Sequence, residues 1–190
     1  MTELKTIKVV LLGAESVGKT SIIDYYMKHS FSEQVTPTVG VAIFQLTVQV
    51  QDRPVKLSIW DTAGQERYQG LAPMYYRDAN LIIFTIDSTN PKSFDYIQTQ
   101  LPSVRSLCDN NTVYSLAVNK CDLPSQISFQ EVVDFVKQEQ FSNIVRTSAL
   151  TGEGIDNLIN FSLISILQQG SGSQNNGQDL SQKEHQSSCC

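Results

Sequence analysis

The sequence predicts an α/β domain with a six-stranded, mostly parallel sheet, one antiparallel edge strand and helices on both faces. Three observations carry this expectation. Short apolar runs alternate along the chain with stretches of helical periodicity, the order that βαβ crossovers produce. Two neighbouring extended runs are joined by the short link Gln51-Asp52-Arg53-Pro54, a hairpin signal that accounts for the antiparallel strand. The first apolar run passes through a glycine-containing turn, residues 13–20 (GAESVGKT), directly into a helix, the arrangement of a phosphate-binding P-loop.

The elements follow in order. Residues 7–13 (IKVVLLG) read as a strand buried on both faces, and a helix runs from about Gly18 to Lys28. A polar loop ending at residues 36–38 (TPT) leads to the extended runs 41–50 and 54–60. In the first of these Ala42, Phe44, Leu46, Val48 and Val50 alternate inward, which leaves Val41, Ile43, Gln45, Thr47 and Gln49 outward. Residues 81–87 (LIIFTID) form the next strand. Asn90 then caps a helix over 91–107 with Pro91 at its first position, and Pro102 should kink that helix or end it early. A strand over 113–119, a helix over 128–140 capped by Ser128, a strand over 143–149 and an amphipathic helix over 155–167 complete the domain. From Gln168 the chain is almost devoid of apolar residues, so the division expected is a domain over 1–167 and a disordered tail over 168–190.

Composition narrows the function. The 190 residues carry a net charge of -5, without the Lys/Arg cluster that a nucleic-acid face requires. No apolar run reaches the length of a membrane-spanning helix, and residues 1–8 (MTELKTIK) lack the apolar core of a signal peptide. These features point to a cytosolic protein whose four cysteines stay reduced.

The motif Gly13-x4-Gly18-Lys19-Thr20 supplies what a phosphate chain needs. Glycines let the backbone close on the anion, and the N–H groups of residues 14–21 with the helix N-terminus favour negative charge. Ala14, Glu15, Ser16, Val17, Gly18, Lys19, Thr20 and Ser21 are therefore nucleotide-binding candidates. Lys19 is placed to reach the β- and γ-phosphates and the Thr20 hydroxyl to ligate Mg2+. This turn does not by itself choose between GTP and ATP. The choice comes from residues 119–122 (NKCD) at the end of a strand. The Asp122 carboxylate matches the guanine N1–H and amine, Asn119 reaches the base edge and ties the loop to the P-loop, and the Lys120 stem lies against the base. A P-loop kinase or ATPase remains the alternative, which would make NKCD coincidental.

With GAESVGKT, Thr38, WDTAGQERY (60–68), NKCD and TSAL (147–150) in this order, the chain resembles the small GTPase superfamily. Within it the likeness is to the Rab family, especially the early-endosomal subgroup, over about residues 5–167. The resemblance implies the G-domain form of the P-loop NTPase fold. It also implies a GTPase that cycles between GTP and GDP to regulate vesicle and endosomal trafficking. Phe31 would pack on the guanine, and the Ser148 and Ala149 amides would hold its carbonyl, with Leu150 where the family pattern has Lys. Asp61 would hold Mg2+ through a water, Gly64 would bond the γ-phosphate, and Gln65 would orient the attacking water. Thr38 would give its hydroxyl to Mg2+ and its N–H to the γ-phosphate, so that loss of the phosphate releases both loops. Glu15 departs from the small residue usual at its position. Either it turns into solvent without effect, or its bulk and charge slow hydrolysis and leave a long-lived GTP-bound scaffold.

The resemblance extends to partners. Val41, Ile43, Trp60 and Tyr75 would form an effector patch, with Ile43 where Rabs commonly carry an aromatic. Effectors, an exchange factor, a GTPase-activating protein, a prenylation escort and a GDP-dissociation inhibitor are implied for a monomer that binds no nucleic acid. Cys189 and Cys190 would each take a geranylgeranyl group, two chains anchoring stably where one does not. The protein would then divide between cytosol and the cytoplasmic face of endosomal or other vesicle membranes.

Overall fold

The computed structural model describes residues 4–32, 36–64 and 72–172, with backbone alone for residues 72–73 and 170–172. Strand β1 (Thr6–Leu12) lies inside the sheet because its side chains have two apolar faces to serve. Ile7, Val9 and Leu11 enter one core cluster, and Val10 and Leu12 enter the other. The sheet order is β2-β3-β1-β4-β5-β6. β2 (Val41–Val50) pairs antiparallel with β3 (Arg53–Thr62), while β3, β1, β4 (Leu81–Asp87), β5 (Val113–Asn119) and β6 (Asn143–Arg146) run parallel. Gln51 and Asp52, both at positive φ, make the two-residue hairpin turn.

Helices cover both faces. Ile22 and Ile23 of α1 (Lys19–Lys28) and Ile155, Leu158, Ile159 and Leu163 of α5 (Ile155–Gly172) pack on one cluster. Tyr75 and Tyr76 of the short α2 (Ala72–Tyr76) join the other, with residues of α3 (Pro91–Leu107) and α4 (Phe129–Gln138). In β2, Ile43, Gln45, Thr47 and Gln49 are exposed and Phe44, Leu46 and Val48 half-buried, as the alternation requires. The turns leaving β1, β3 and β5 meet at the carboxyl edge of the sheet, where open α/β sheets place their ligands.

Four elements depart from expectation. α3 does not end at Pro102 but continues to Leu107. Pro102 lies on the exposed face, where water can satisfy the Gln98 carbonyl it leaves unpaired, while Leu101 and Val104 anchor the helix on either side. β6 stops at Arg146, because the next backbone groups turn to the neighbouring loop: Thr147 donates to the Val118 carbonyl and accepts from the Cys121 N–H. α5 passes the composition change at Gln168 and reaches Gly172. α2, too short to carry a periodic signal, was not anticipated.

Candidate functional site

The site begins where β1 hands the chain to α1. Gly18 caps α1 in the left-handed region at φ 99, and a Cβ there would strike the Asn119 side chain. The Lys19 ammonium is buried under the turn and donates to the Gly13 and Ala14 carbonyls at 2.8 and 2.9 Å. Burial pushes its pKa from 10.5 down to about 8, against the pull of Asp61 and Glu15.

Beside it, three oxygen donors from three segments converge. The Thr20 and Thr38 hydroxyls donate to Asp61 Oδ2 at 2.6 and 3.1 Å and lie 3.1 Å from each other. Asp61 is fully buried, and its other carboxylate oxygen has no partner among the described residues. Burial raises its pKa, and the two threonines and Lys19 oppose that rise. A carboxylate oxygen left unpaired beside two hydroxyls is an oxygen set of the kind Mg2+ takes, with few protein ligands and the remainder from phosphate and water. Gly64 backs the P-loop so closely that a Cβ would lie 2.5 Å from the Ala14 carbonyl oxygen and the Glu15 nitrogen.

Lys19, Thr20, Thr38 and Gly64 border a cavity of about 570 Å3, while Asp61 holds the two threonine hydroxyls without lining it. Glu15, Ser16, Gly18, Lys19, Thr20 and Ser21 line its P-loop side, with Thr38 and Gly64 adjoining. Phe31, Asn119, Lys120, Asp122, Ala149 and Leu150 line the remainder. Ala14 and Val17 are not among the lining residues: the Ala14 carbonyl accepts from Lys19, and Val17 is buried. Ser148 corrects the sequence reading. It is fully buried and its N–H donates to the Glu153 carbonyl at 2.9 Å, which leaves Ala149 as the member of that pair that lines the cavity. Ser32, Thr36, Pro37, Thr62 and Leu123 also line it and were missed. An apolar side chain directly after NKCD was the available signal for Leu123.

The base-reading turn is braced in two directions. The Asn119 amide donates to the Val17 carbonyl at 2.8 Å and accepts from the Thr147 hydroxyl at 3.2 Å, which ties β5 to the P-loop as expected. Lys120 pairs with Asp87 at 2.6 Å. Burial favours the neutral Asp87 carboxyl, yet the bonds from Lys120 and Thr89 outweigh it and hold the pKa below the usual range. Gln65, Cys189 and Cys190 lie outside the described residues.

Away from the cavity, Ile43 stands opposite Trp60 in the β2–β3 register and is 50% exposed. The Trp60 ring lies 6.5 Å from that of Tyr75 and carries the Lys8 ammonium 4.0 Å from its centroid. Tyr75 is a second correction, since it is buried while its ring contacts that of Trp60. Val39 and Met74, close in sequence to Val41 and Tyr75, are also widely exposed and neither was foreseen. Val41 is half-buried against the core.

A sequence model of the Ras family matches residues 8–168. The chain is 39% identical over 153 residues to the Ras-related protein Rab-5B of Plasmodium falciparum, an alignment covering 80% of this chain and 73% of that one. It is 36% identical over 197 residues to the Ras-related protein Rab5A of Oryza sativa subsp. japonica, covering 99% and 96%. Against the Ras-related protein Rab-22A of Homo sapiens the identity is 38% over 159 residues, covering 82% and 80%.

Proposed function

The chain belongs to the Ras family and, within it, to the Rab small GTPases, and from that premise we propose how its residues run the switch. As a Rab it binds GTP, hydrolyses it to GDP and phosphate, and serves endosomal membrane trafficking. The observation that carries the residue assignment is that Lys19, Thr20 and Thr38 line one cavity together with Asn119 and Asp122, while buried Asp61 gathers the two threonine hydroxyls.

The P-loop amides and the start of α1 bind the phosphate chain, with Lys19 supplying a buried positive charge. Thr20 and Thr38 through their hydroxyls, and Asp61 through water, would hold Mg2+, which when bound neutralises charge on the β- and γ-phosphates. Asp122 accepts the guanine N1–H and exocyclic amine, the Ala149 amide faces the guanine carbonyl, and Phe31 covers the base. Gln65 orients a water whose oxygen bonds to the γ-phosphorus as the bond to the β–γ bridging oxygen breaks; the water's proton leaves with the phosphate. Thr38 and Gly64 then lose the group that held them, and the effector surface around Ile43 and Trp60 changes with them.

The same reading gives the switch its partners. Effectors bind the GTP form, and an exchange factor and an activating protein set its timing. A prenylation escort and a dissociation inhibitor handle lipids on Cys189 and Cys190. The protein would divide between the cytosol and the cytoplasmic face of endosomal membranes. No helix among the described residues is long and apolar enough to cross a bilayer.

Nucleotide released by heating the purified protein tests the reading. Guanine nucleotide is expected, with single-turnover phosphate release after GTP loading that Gln65→Leu abolishes. Recovery of adenine nucleotide would overturn it.

A further inference from the structure

Lys120 occupies the left-handed region at φ 61, an uncommon conformation for a residue other than glycine, and its neighbours hold it there. The neighbours come from the end of β4. The Asp87 carboxylate pairs with Lys120 Nζ through Oδ2, while its Oδ1 accepts from the Thr89 N–H and hydroxyl at 2.8 and 2.7 Å. The Asp87 N–H donates to the hydroxyl of Ser93, a fully buried residue in the first turn of α3, at 3.0 Å. Ser88 completes the grip: its N–H donates to the Asn119 carbonyl at 2.9 Å and its hydroxyl to the Lys120 carbonyl at 3.0 Å. Residues 87–89 thus hold both the backbone and the ammonium of the base-reading turn.

The direction of the ion pair bears on recognition. Asp122 is only two residues beyond Lys120, and an ammonium engaged with Asp122 would compete with the guanine N–H donors for that carboxylate. Here the ammonium is engaged with Asp87, which is buried and anchored, and Lys120 is held to one of its many rotamers.

We propose that Asp87 is a positioning residue for guanine recognition, acting through Lys120 to keep its stem along the base and its ammonium off Asp122. The inference rests on the guanine-nucleotide reading above and adds to it a residue from β4. A merely structural Asp87 would support the fold independently of Lys120, and a double-mutant cycle separates the two cases.

The test uses the full chain with Mg2+, loaded with N-methylanthraniloyl-GDP and chased with excess GDP. Asp87→Asn is expected to speed release about tenfold, and Asp87→Glu, which keeps the charge, to recover part of that loss. Lys120→Met keeps the stem and removes the charge; Asp87→Asn added to it should speed release no further. Wild-type release by Asp87→Asn, or effects that multiply fully in the double variant, would overturn the inference. Should Asp87→Asn not fold, the same cycle with Thr89→Val decides, full independence from Lys120 again overturning it. A wild-type protein that retains no guanine nucleotide would instead sink the underlying reading, an outcome the loading step reveals first.

Discussion

Lys19 carries the sharpest electrostatic consequence of the site. Burial lowers its pKa to about 8, whereas phosphate oxygens would favour the ammonium. Below about pH 8 both free and bound forms are protonated, and affinity for GDP should be flat. Above it the free form loses its proton while the bound form keeps it, so affinity should fall by up to about tenfold per pH unit. Titration calorimetry in buffers of different ionisation enthalpy checks this, with net proton uptake on binding near pH 8.5; no uptake would remove Lys19 from the phosphate site. Glu15 raises a second question at this scale. It lines the cavity beside the Gly64 backbone and pulls electrostatically on Lys19, so its carboxylate stands near where γ-phosphate charge would collect. Glu15→Gly is expected to speed single-turnover hydrolysis about tenfold, and equal rates would show that the carboxylate turns away. Much of the residue-level site was legible because Gly18, Lys19, Thr20 and NKCD are local in sequence and chemically demanding. Ser148 was not, since whether an amide faces a cavity depends on a turn that closes five residues later, at Glu153. The Asp87–Lys120 pair was hidden for a related reason: an Asp ending a strand looks ordinary until the fold brings residue 120 against it.

The elements were read more surely where period and caps agreed. β4, β5 and the Asn90 start of α3 match their expected bounds because apolar runs and a side-chain cap are decided within a few residues. Pro102 shows where local rules yield. A proline inside a helix costs roughly 3 kcal/mol, yet burial of Leu101, Val104 and Ile97 on one face outweighs it while the gap in the ladder faces solvent. Pro102→Ala should therefore restore a hydrogen bond to the Gln98 carbonyl. Part of that gain is lost to the greater freedom of the unfolded chain, which leaves about 1–2 kcal/mol of added stability. Denaturant melts of the GDP-bound protein would measure it, with nucleotide release unchanged because Pro102 lines no part of the cavity. A lower midpoint for the variant would mean that the proline's rigidity, not its missing donor, dominates. α2 and the run of α5 past Gln168 escaped the sequence for opposite reasons. One has too few residues to show a period, and in the other composition announces a tail while helix-compatible glutamines simply continue the preceding turn.

Across the whole molecule, the nucleotide cavity and the apolar surface are two sides of one hairpin. Asp61, which gathers Thr20 and Thr38, follows Trp60 directly in β3, and Trp60 stands opposite Ile43 in β2. The Ala63 N–H donates to the Gly40 carbonyl at 2.9 Å, which joins the segment carrying Val39 to the one carrying Gly64. A partner that covers Ile43, Val39 and Met74 would therefore rest on segments positioned by the phosphate end of the cavity, and could distinguish the two nucleotide states without touching the nucleotide. Ile43 itself is half exposed and lines no part of the cavity, so it separates partner binding from nucleotide binding. Ile43→Asp should cost less than about 1 kcal/mol of stability, the span of strand preference at an exposed position. It should leave GDP release at the wild-type rate, yet abolish capture of effectors on protein loaded with a non-hydrolysable GTP analogue, because a carboxylate at the centre of an apolar contact is buried unpaired. Undiminished capture would move the effector surface elsewhere. Faster GDP release would show instead that β2 transmits changes to the cavity in both directions, making this face part of the nucleotide site.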